Sequence, residues 1–81
     1  MDYRPHGVCS QLIRVDVEDN IVKNVEFVGG CNGNTQGVSR LIRGMDVNEA
    51  IARLEGITCG NKPTSCPDQL AWALKKAIGR V

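Results

Sequence analysis

Four cysteines limit what this chain of 81 residues can fold into more than any other feature. A domain of this size buries only about 60% of the surface that its unfolded chain exposes, so its apolar core is thin and a staple would strengthen it. None of the cysteines forms a C-x-x-C pair, which excludes the spacing of zinc fingers and zinc ribbons. Only the fold could therefore bring the four cysteines to one site. They are Cys9, Cys31, Cys59 and Cys66.

Charge and hydropathy exclude several classes of partner. Ten basic and nine acidic side chains give a net charge of +1 without a run of either sign, which argues against binding nucleic acid or an anionic membrane surface. No apolar stretch approaches the roughly 20 residues that span a bilayer, and the first residues do not resemble a signal peptide. We therefore expect a cytoplasmic protein, whose cysteines serve metal binding or thiol chemistry rather than permanent disulfides.

The first half of the chain predicts a β-hairpin. Apolar residues alternate along 8–17, and a second run rich in β-branched residues covers 21–28. Asp19 and Asn20 form the expected two-residue turn, and a ladder counted back from it sets Cys9 opposite Gly30, beside Cys31. Because two strands make a meagre sheet, a third is expected from 2–6 or from another chain.

Three helices follow, about 34–43, 46–55 and 66–79, each with an apolar face. Gly44 is expected to end the first helix, and Asp46 with Glu49 predicts a capping box for the second. The predicted fold is α+β, a hairpin or small three-stranded sheet followed by three helices packed on one face. The whole chain of 1–81 forms one domain.

The start of the last helix is the most informative stretch. Ser65 is a favourable N-cap, Pro67 suits the first turn, and Asp68 or Gln69 could complete a capping box. Cys66 thus lies where free N–H groups and the helix dipole favour negative charge, which improves a thiol as a metal ligand or nucleophile. Capping also explains Asp68 better than a role beside a metal-bound Cys66.

All four cysteines fall at element boundaries, where ligands are presented, although Cys9 faces the core side of its strand. Four thiolates suit either Zn²⁺ or an iron-sulfur cluster, and the sequence does not choose between them. His6 could substitute for one cysteine, but a lone histidine beside a proline is expected to be solvated. The predicted metal ligands are Cys9, Cys31, Cys59 and Cys66.

The stretch Thr64-Ser65-Cys66-Pro67-Asp68, with the four cysteines, resembles the signature of the TSCPD domain family, in its small stand-alone branch. A related module ends the adenosylcobalamin-dependent ribonucleotide reductases, so such sequences often carry the name ribonucleoside-diphosphate reductase. That catalytic domain needs a large barrel, which 81 residues cannot form. The resemblance implies a metal-binding or accessory module rather than an enzyme.

The order of elements is more remotely similar to the U-type iron-sulfur cluster scaffold proteins. On that likeness Cys9, Cys31 and Cys66 match the three scaffold cysteines, while Cys59 is additional. Gln11 stands where the scaffold has aspartate, and Ser65 where it has histidine. A site of four thiolates should hold its metal more permanently than a transfer site does.

Three functions are therefore predicted from different classes. The first is a metal-binding module with one Zn²⁺ or iron-sulfur site and an accessory or structural role. The second is a thiol redox or electron-delivery accessory to a ribonucleotide reductase, with a reversible disulfide between Cys59 and Cys66. The third is a cluster scaffold or carrier, which would need a cluster donor or acceptor as partner. The chain could act as a monomer or a homodimer. No Ser-His-Asp active site is expected, because the one histidine, His6, is predicted to be solvated.

Overall fold

The structure is a computed structural model that describes residues 1–8, 10–29 and 32–80. It confirms the predicted α+β fold, in which an antiparallel three-stranded sheet of order β1-β2-β3 is followed by three helices. The elements are β1 (Asp2–Tyr3), β2 (Leu12–Glu18), β3 (Ile21–Val28), α1 (Asn32–Ile42), α2 (Val47–Leu54) and α3 (Cys66–Ala77). In the described part of the chain, no helix is long and apolar enough to cross a membrane.

The predicted hairpin turn is confirmed. Asp19 and Asn20 have φ angles of 51° and 64°, and Glu18 pairs with Ile21 directly across the turn. Positive φ at both central residues defines the turn that matches the right-handed twist of two antiparallel strands. The turn therefore sets where the pairing of β2 with β3 begins.

The pairing farther from the turn differs from the prediction, because the register shifts between Asp16 and Val17. Asp16 pairs with Asn24 while Val17 pairs with Val22, so Lys23 is an extra residue in β3. A bulge of this kind makes any count from the turn wrong by one residue. The predicted pairing of Cys9 with Gly30 lies outside the described residues.

Both N-terminal strands are shorter than predicted. β2 begins at Leu12 rather than at 8, and β1 ends at Tyr3 rather than at 6. The chain from Arg4 to Val8 instead turns away from the sheet, with Gly7 at φ +72°. β1 nevertheless supplies the expected third strand, since Tyr3 pairs with Ile13.

The core lies between one face of the sheet and the helices. Ile13, Val15, Val22 and Val25 are at most 4% exposed on the sheet side. The opposite face carries exposed charged side chains such as Arg14 and Glu26 and stays in solvent. The buried apolar residues of the helices complete the core: Ile42, Val47, Ala50, Ile51, Leu54, Leu70, Ala71, Ala73 and Leu74.

The connection between α1 and α2 is fixed to the sheet. Gly44, at φ +86°, follows α1 as predicted, and its N–H donates to the Val22 carbonyl at 2.7 Å. Asp46 caps α2 by accepting the Glu49 N–H at 3.1 Å. The reciprocal half of the predicted capping box is absent, because the Glu49 carboxylate accepts from Arg53 Nε at 2.8 Å instead.

The helix boundaries differ from the predicted ones by a few residues. α1 begins at Asn32 instead of 34, and α3 ends at Ala77 instead of 79. The Gly79 and Arg80 N–H groups donate to carbonyls of the last turn of α3, which closes the helix early. None of these shifts changes which apolar faces meet in the core.

Candidate functional site at the start of helix α3

Cys66 is the first residue of α3, as the sequence predicts. Ser65 is the N-cap, with φ −152° and ψ 171°, and its hydroxyl oxygen accepts the Asp68 N–H at 3.2 Å. The same hydroxyl donates to the Ile57 carbonyl at 2.7 Å, and Pro67 lies in the first turn. The cap and the proline therefore hold the half-buried Cys66 in a fixed position.

Asp68 connects the end of α2 to the start of α3 rather than completing a capping box. Its carboxylate is 8% exposed, accepts the Gly56 N–H at 2.7 Å and accepts the Thr64 hydroxyl through its second oxygen. Both oxygens are thus engaged by groups outside the first turn of α3. The capping-box prediction for Asp68 is wrong because these more distant donors take the carboxylate.

Gln69 ties the N-terminal segment to the same loop. Its amide nitrogen donates to Thr64 Oγ1 at 2.9 Å. Its oxygen accepts the Tyr3 hydroxyl at 3.2 Å and the His6 N–H at 3.0 Å. The backbone of His6 is thus part of the network, whereas the residue as a whole is exposed.

Gly7 lets the N-terminal segment approach this loop closely. A Cβ atom at Gly7 would lie 3.2 Å from Thr64 Cγ2, and the positive φ of Gly7 is itself unfavourable for other residues. The approach places Val8 and Ser10, the two neighbours of Cys9 in the sequence, on the α3 side of the fold. Their position follows from the network around Thr64 and Gln69.

Ser10 is a site residue that the sequence analysis missed. It is 4% exposed, and its hydroxyl oxygen lies 3.2 Å from the Cys66 sulfur. A hydroxyl at that distance can donate a hydrogen bond to a thiolate and so stabilise it. The only sequence signal was its place beside Cys9, which does not distinguish it from other serines.

Cys59 reaches the same region from the loop between α2 and α3. Its N–H donates to the Thr64 carbonyl at 3.3 Å, and its carbonyl accepts the Lys62 N–H at 3.0 Å. Cys59 is exposed, and neither Cys59 nor Cys66 is in a disulfide. The predicted short reach between the two cysteines is thus supported by the local backbone.

Both cysteines line one small open pocket of about 90 Å³. Its walls come from the N-terminal segment, the first turn of α1, the loop before α3 and the start of α3. The lining residues are Val8, Asn34, Thr35, Cys59, Lys62, Ser65, Cys66 and Pro67. Lys62 adds a positive charge beside the two thiols.

The other two predicted ligands, Cys9 and Cys31, lie outside the described residues. Within 1–8, 10–29 and 32–80, no three His, Cys, Asp or Glu side chains form a group that could hold a metal ion. The described part of the chain thus brings together Cys59 and Cys66. Metal ligation by all four cysteines stays a prediction.

The pKa of Tyr3 depends on its position in the same network. Partial burial, and then the negative charge of Asp68, raise the pKa of Tyr3 above its ordinary value of 10.0. The native state therefore keeps a proton that the unfolded chain loses, so Tyr3 stabilises the fold fully below about pH 10. This contribution is lost as the pH rises through the higher pKa of the folded state.

We expect the free energy of unfolding of Tyr3→Phe to fall less than that of the unaltered protein as the pH rises above about 10. Phenylalanine keeps the ring but cannot ionise, so the variant also corrects for the titration of lysines. Urea unfolding at several pH values measures the difference. Parallel pH profiles for the two proteins would contradict the predicted coupling.

A model of the TSCPD domain matches residues 1–78. The chain belongs to the TSCPD domain family. Searches of curated proteins and of solved structures gave no significant match. In this TSCPD domain, Thr64, Ser65 and Asp68 are occupied by hydrogen bonds that build the loop, whereas Cys66 lines the pocket.

Proposed function

We propose that this TSCPD domain is a small metal-binding module with an accessory or structural role and no reaction of its own. In this proposal Cys9, Cys31, Cys59 and Cys66 hold one Zn²⁺ ion or one iron-sulfur cluster. The observation that carries it is that Cys59 and Cys66, from different elements, line the same pocket.

The remaining walls of the pocket favour a site of four cysteines. Val8 directly precedes Cys9, and Asn34 follows Cys31 by three residues. Since consecutive Cα atoms are 3.8 Å apart, a few residues of chain limit how far either cysteine can lie from this pocket. The position of Val8 and Asn34 in the lining therefore supports the proposal that the four cysteines serve one site.

The chemistry of the surroundings fits a thiolate-bound metal. Thiolate is a soft ligand that suits Zn²⁺ and iron-sulfur clusters. The Ser10 hydroxyl, 3.2 Å from the Cys66 sulfur, can donate to it, and Lys62 offsets part of the negative charge of several thiolates. A bound metal would polarise its thiolates and link four chain segments, which would add folding free energy to a thin core.

The module also needs a cellular setting and partners that suit its thiols. We place it in the cytoplasm, where thiols stay reduced and available to a metal. A ribonucleotide reductase, or a donor or acceptor of clusters, is the kind of protein partner that its family resemblance suggests. The module would act as a monomer or a homodimer, without nucleic acid or membrane.

A thiol redox accessory is the second candidate, favoured by the shared pocket of two free thiols. The Cys66 thiolate would attack one sulfur of a partner disulfide, which breaks the S–S bond, releases the other sulfur as a thiol and leaves a mixed disulfide. Cys59 would then attack the Cys66 sulfur and release the first partner sulfur as a thiol. The partner disulfide gains two electrons and two protons, while Cys59 and Cys66 become a disulfide. A cluster carrier is a third candidate, suggested by the order of elements alone.

Elemental analysis and a visible spectrum of protein purified without chelator test the metal proposal. We expect about one ion or cluster per chain, and colour would identify a cluster whereas a colourless sample with zinc would identify an ion. Cys59→Ser and Cys66→Ser should lose the metal, while Ser39→Ala, a change at a buried serine outside the pocket, should retain it. Chelation should lower the melting temperature.

The same samples separate the alternatives. Thiols that resist alkylation until the metal is removed favour the metal site. The metal proposal would be wrong if the metal-free protein melts cooperatively at an unchanged temperature. If Cys59 and Cys66 then form a reversible disulfide, the redox accessory becomes the favoured function. A cluster that transfers to an apo acceptor would favour the carrier.

A further inference from the structure

A second and larger cleft lies between β3 and α1, and it shares Thr35 with the lining of the cysteine pocket. Its volume is about 330 Å³. We call it the β3-edge groove, and its lining residues are Val25, Glu26, Phe27, Thr35, Gln36, Ser39, Arg40 and Arg43. Three of these come from β3, four come from α1, and Arg43 lies in the turn after α1.

β3 is an edge strand. The sheet order is β1-β2-β3, and on the outer side of β3 the pairing in the described part of the chain is confined to its first residues. There the Val22 N–H donates to the Met45 carbonyl at 2.9 Å, and the Gly44 N–H donates to the Val22 carbonyl at 2.7 Å. Beyond Val22 the outer edge of β3 faces the groove.

The register shows which backbone groups point outward. Met1 and Val15 exchange two hydrogen bonds of 2.9 Å, so Val15 directs its N–H and C=O toward the N-terminal strand. Neighbouring residues of a strand point to opposite sides, so Arg14 points toward β3 and its partner Glu26 points back toward β2. Val25 and Phe27 therefore direct their N–H and C=O groups into the groove.

The opposite wall of the groove is positively charged. Arg40 and Arg43 are exposed residues of α1 and of the turn after it, and the Arg43 guanidinium donates to Asn24 Oδ1 at 3.2 Å. Glu26 is the one acidic residue of the lining, and Arg14 Nη1 lies 3.4 Å from its Oε1. The groove thus carries an excess of positive charge over a polar strand edge.

We propose that the β3-edge groove binds an extended acidic segment of a partner protein, which adds to β3 as a fourth strand. Val25 and Phe27 would supply the backbone hydrogen bonds, and carboxylates at alternate positions of the segment would face Arg40 and Arg43. Strand addition to an edge flanked by a helix is an established way for domains to hold peptides. The proposal does not depend on the metal site.

A capped synthetic peptide of six residues, alternating glutamate and valine, is the probe. Titrated into isotope-labelled protein, it should shift the amide signals of Val25 and Phe27 and slow their hydrogen exchange. A peptide that alternates lysine and valine should bind at least about tenfold more weakly, because its charge is reversed. An N-methylated glutamate-valine peptide, which keeps the charge but lacks backbone donors, should also lose binding.

Charge reversal of the protein completes the test. The double variant Arg40→Glu, Arg43→Glu should bind the glutamate peptide about tenfold more weakly and should gain binding of the lysine peptide. Arg80→Glu, an equal change at an exposed residue outside the groove, should leave both affinities unchanged. If the double variant does not fold, the single changes Arg40→Gln and Arg43→Gln replace it.

Two results would overturn the proposal. Equal binding of the glutamate peptide to the protein and to its charge-reversed variants would exclude Arg40 and Arg43 as the recognising groups. Equal binding of the N-methylated peptide, or signal shifts that map away from Val25 and Phe27, would exclude strand addition.

Discussion

Replacing Asp68 with alanine is expected to lower the free energy of unfolding by about 3 kcal/mol. The carboxylate is buried and accepts hydrogen bonds from the Gly56 N–H and the Thr64 hydroxyl. Hydrogen bonds to a charged group contribute about 1.5–3 kcal/mol each, and their loss would leave donors near both ends of the α2–α3 loop without a partner. For a domain of this size the melting temperature should fall by roughly 15 °C.

Two further variants separate this role from simple helix capping. Asp46→Ala removes an exposed N-cap from α2 and should cost about 1 kcal/mol. Asp68→Asn keeps an acceptor for Gly56 but loses the charge, so its effect should lie between the other two. Urea unfolding of the three variants measures the differences. An Asp68→Ala loss no larger than that of Asp46→Ala would show that the two hydrogen bonds of the Asp68 carboxylate stabilise the fold no more than one exposed cap does.

Local chemistry made parts of this fold predictable. Asp19 and Asn20 tolerate positive φ, so the turn and the first pair of the hairpin follow from a few residues. Ser65 and Pro67 determine the start of α3 in the same way. These features depend on neighbours in the sequence, which is why sequence reasoning finds them.

The predictions are wrong where contacts with residues distant in the sequence override the preferences of near neighbours. Asp68 has a suitable position for a capping box, yet Gly56 and Thr64 take its carboxylate. The bulge in β3 can be seen in the spacing of its apolar residues. Val22 and Val25 are both buried although they are three residues apart, whereas regular alternation buries residues two or four apart. An odd spacing of two core residues in a strand indicates an extra residue between them.

In the candidate site, too, the features set by near neighbours could be predicted and those set by distant residues could not. A short loop and a helix start predict the approach of Cys59 to Cys66, and the two line one pocket. The contribution of Ser10 could not be predicted, because it depends on how the N-terminal segment folds back against Thr64 and Gln69. That fold-back is a tertiary property, set by hydrogen bonds across more than 60 residues.

Ser10→Ala is expected to weaken metal binding by about tenfold or more while leaving the fold intact, if the domain holds a metal as proposed. A donor to a coordinating thiolate stabilises its charge and fixes its orientation, and Ser10 Oγ is placed 3.2 Å from the Cys66 sulfur. Competition with a chromophoric chelator measures the affinity, and circular dichroism of the metal-free form checks the fold.

Ser39→Ala is the matched control, because Ser39 is equally buried but donates to the Thr35 carbonyl within α1. Ser10→Thr keeps the hydroxyl and should restore most of the affinity. Equal metal affinity for Ser10→Ala and Ser39→Ala would show that the Ser10 hydroxyl serves packing, and the thiolate of Cys66 would then need no donor from the N-terminal segment.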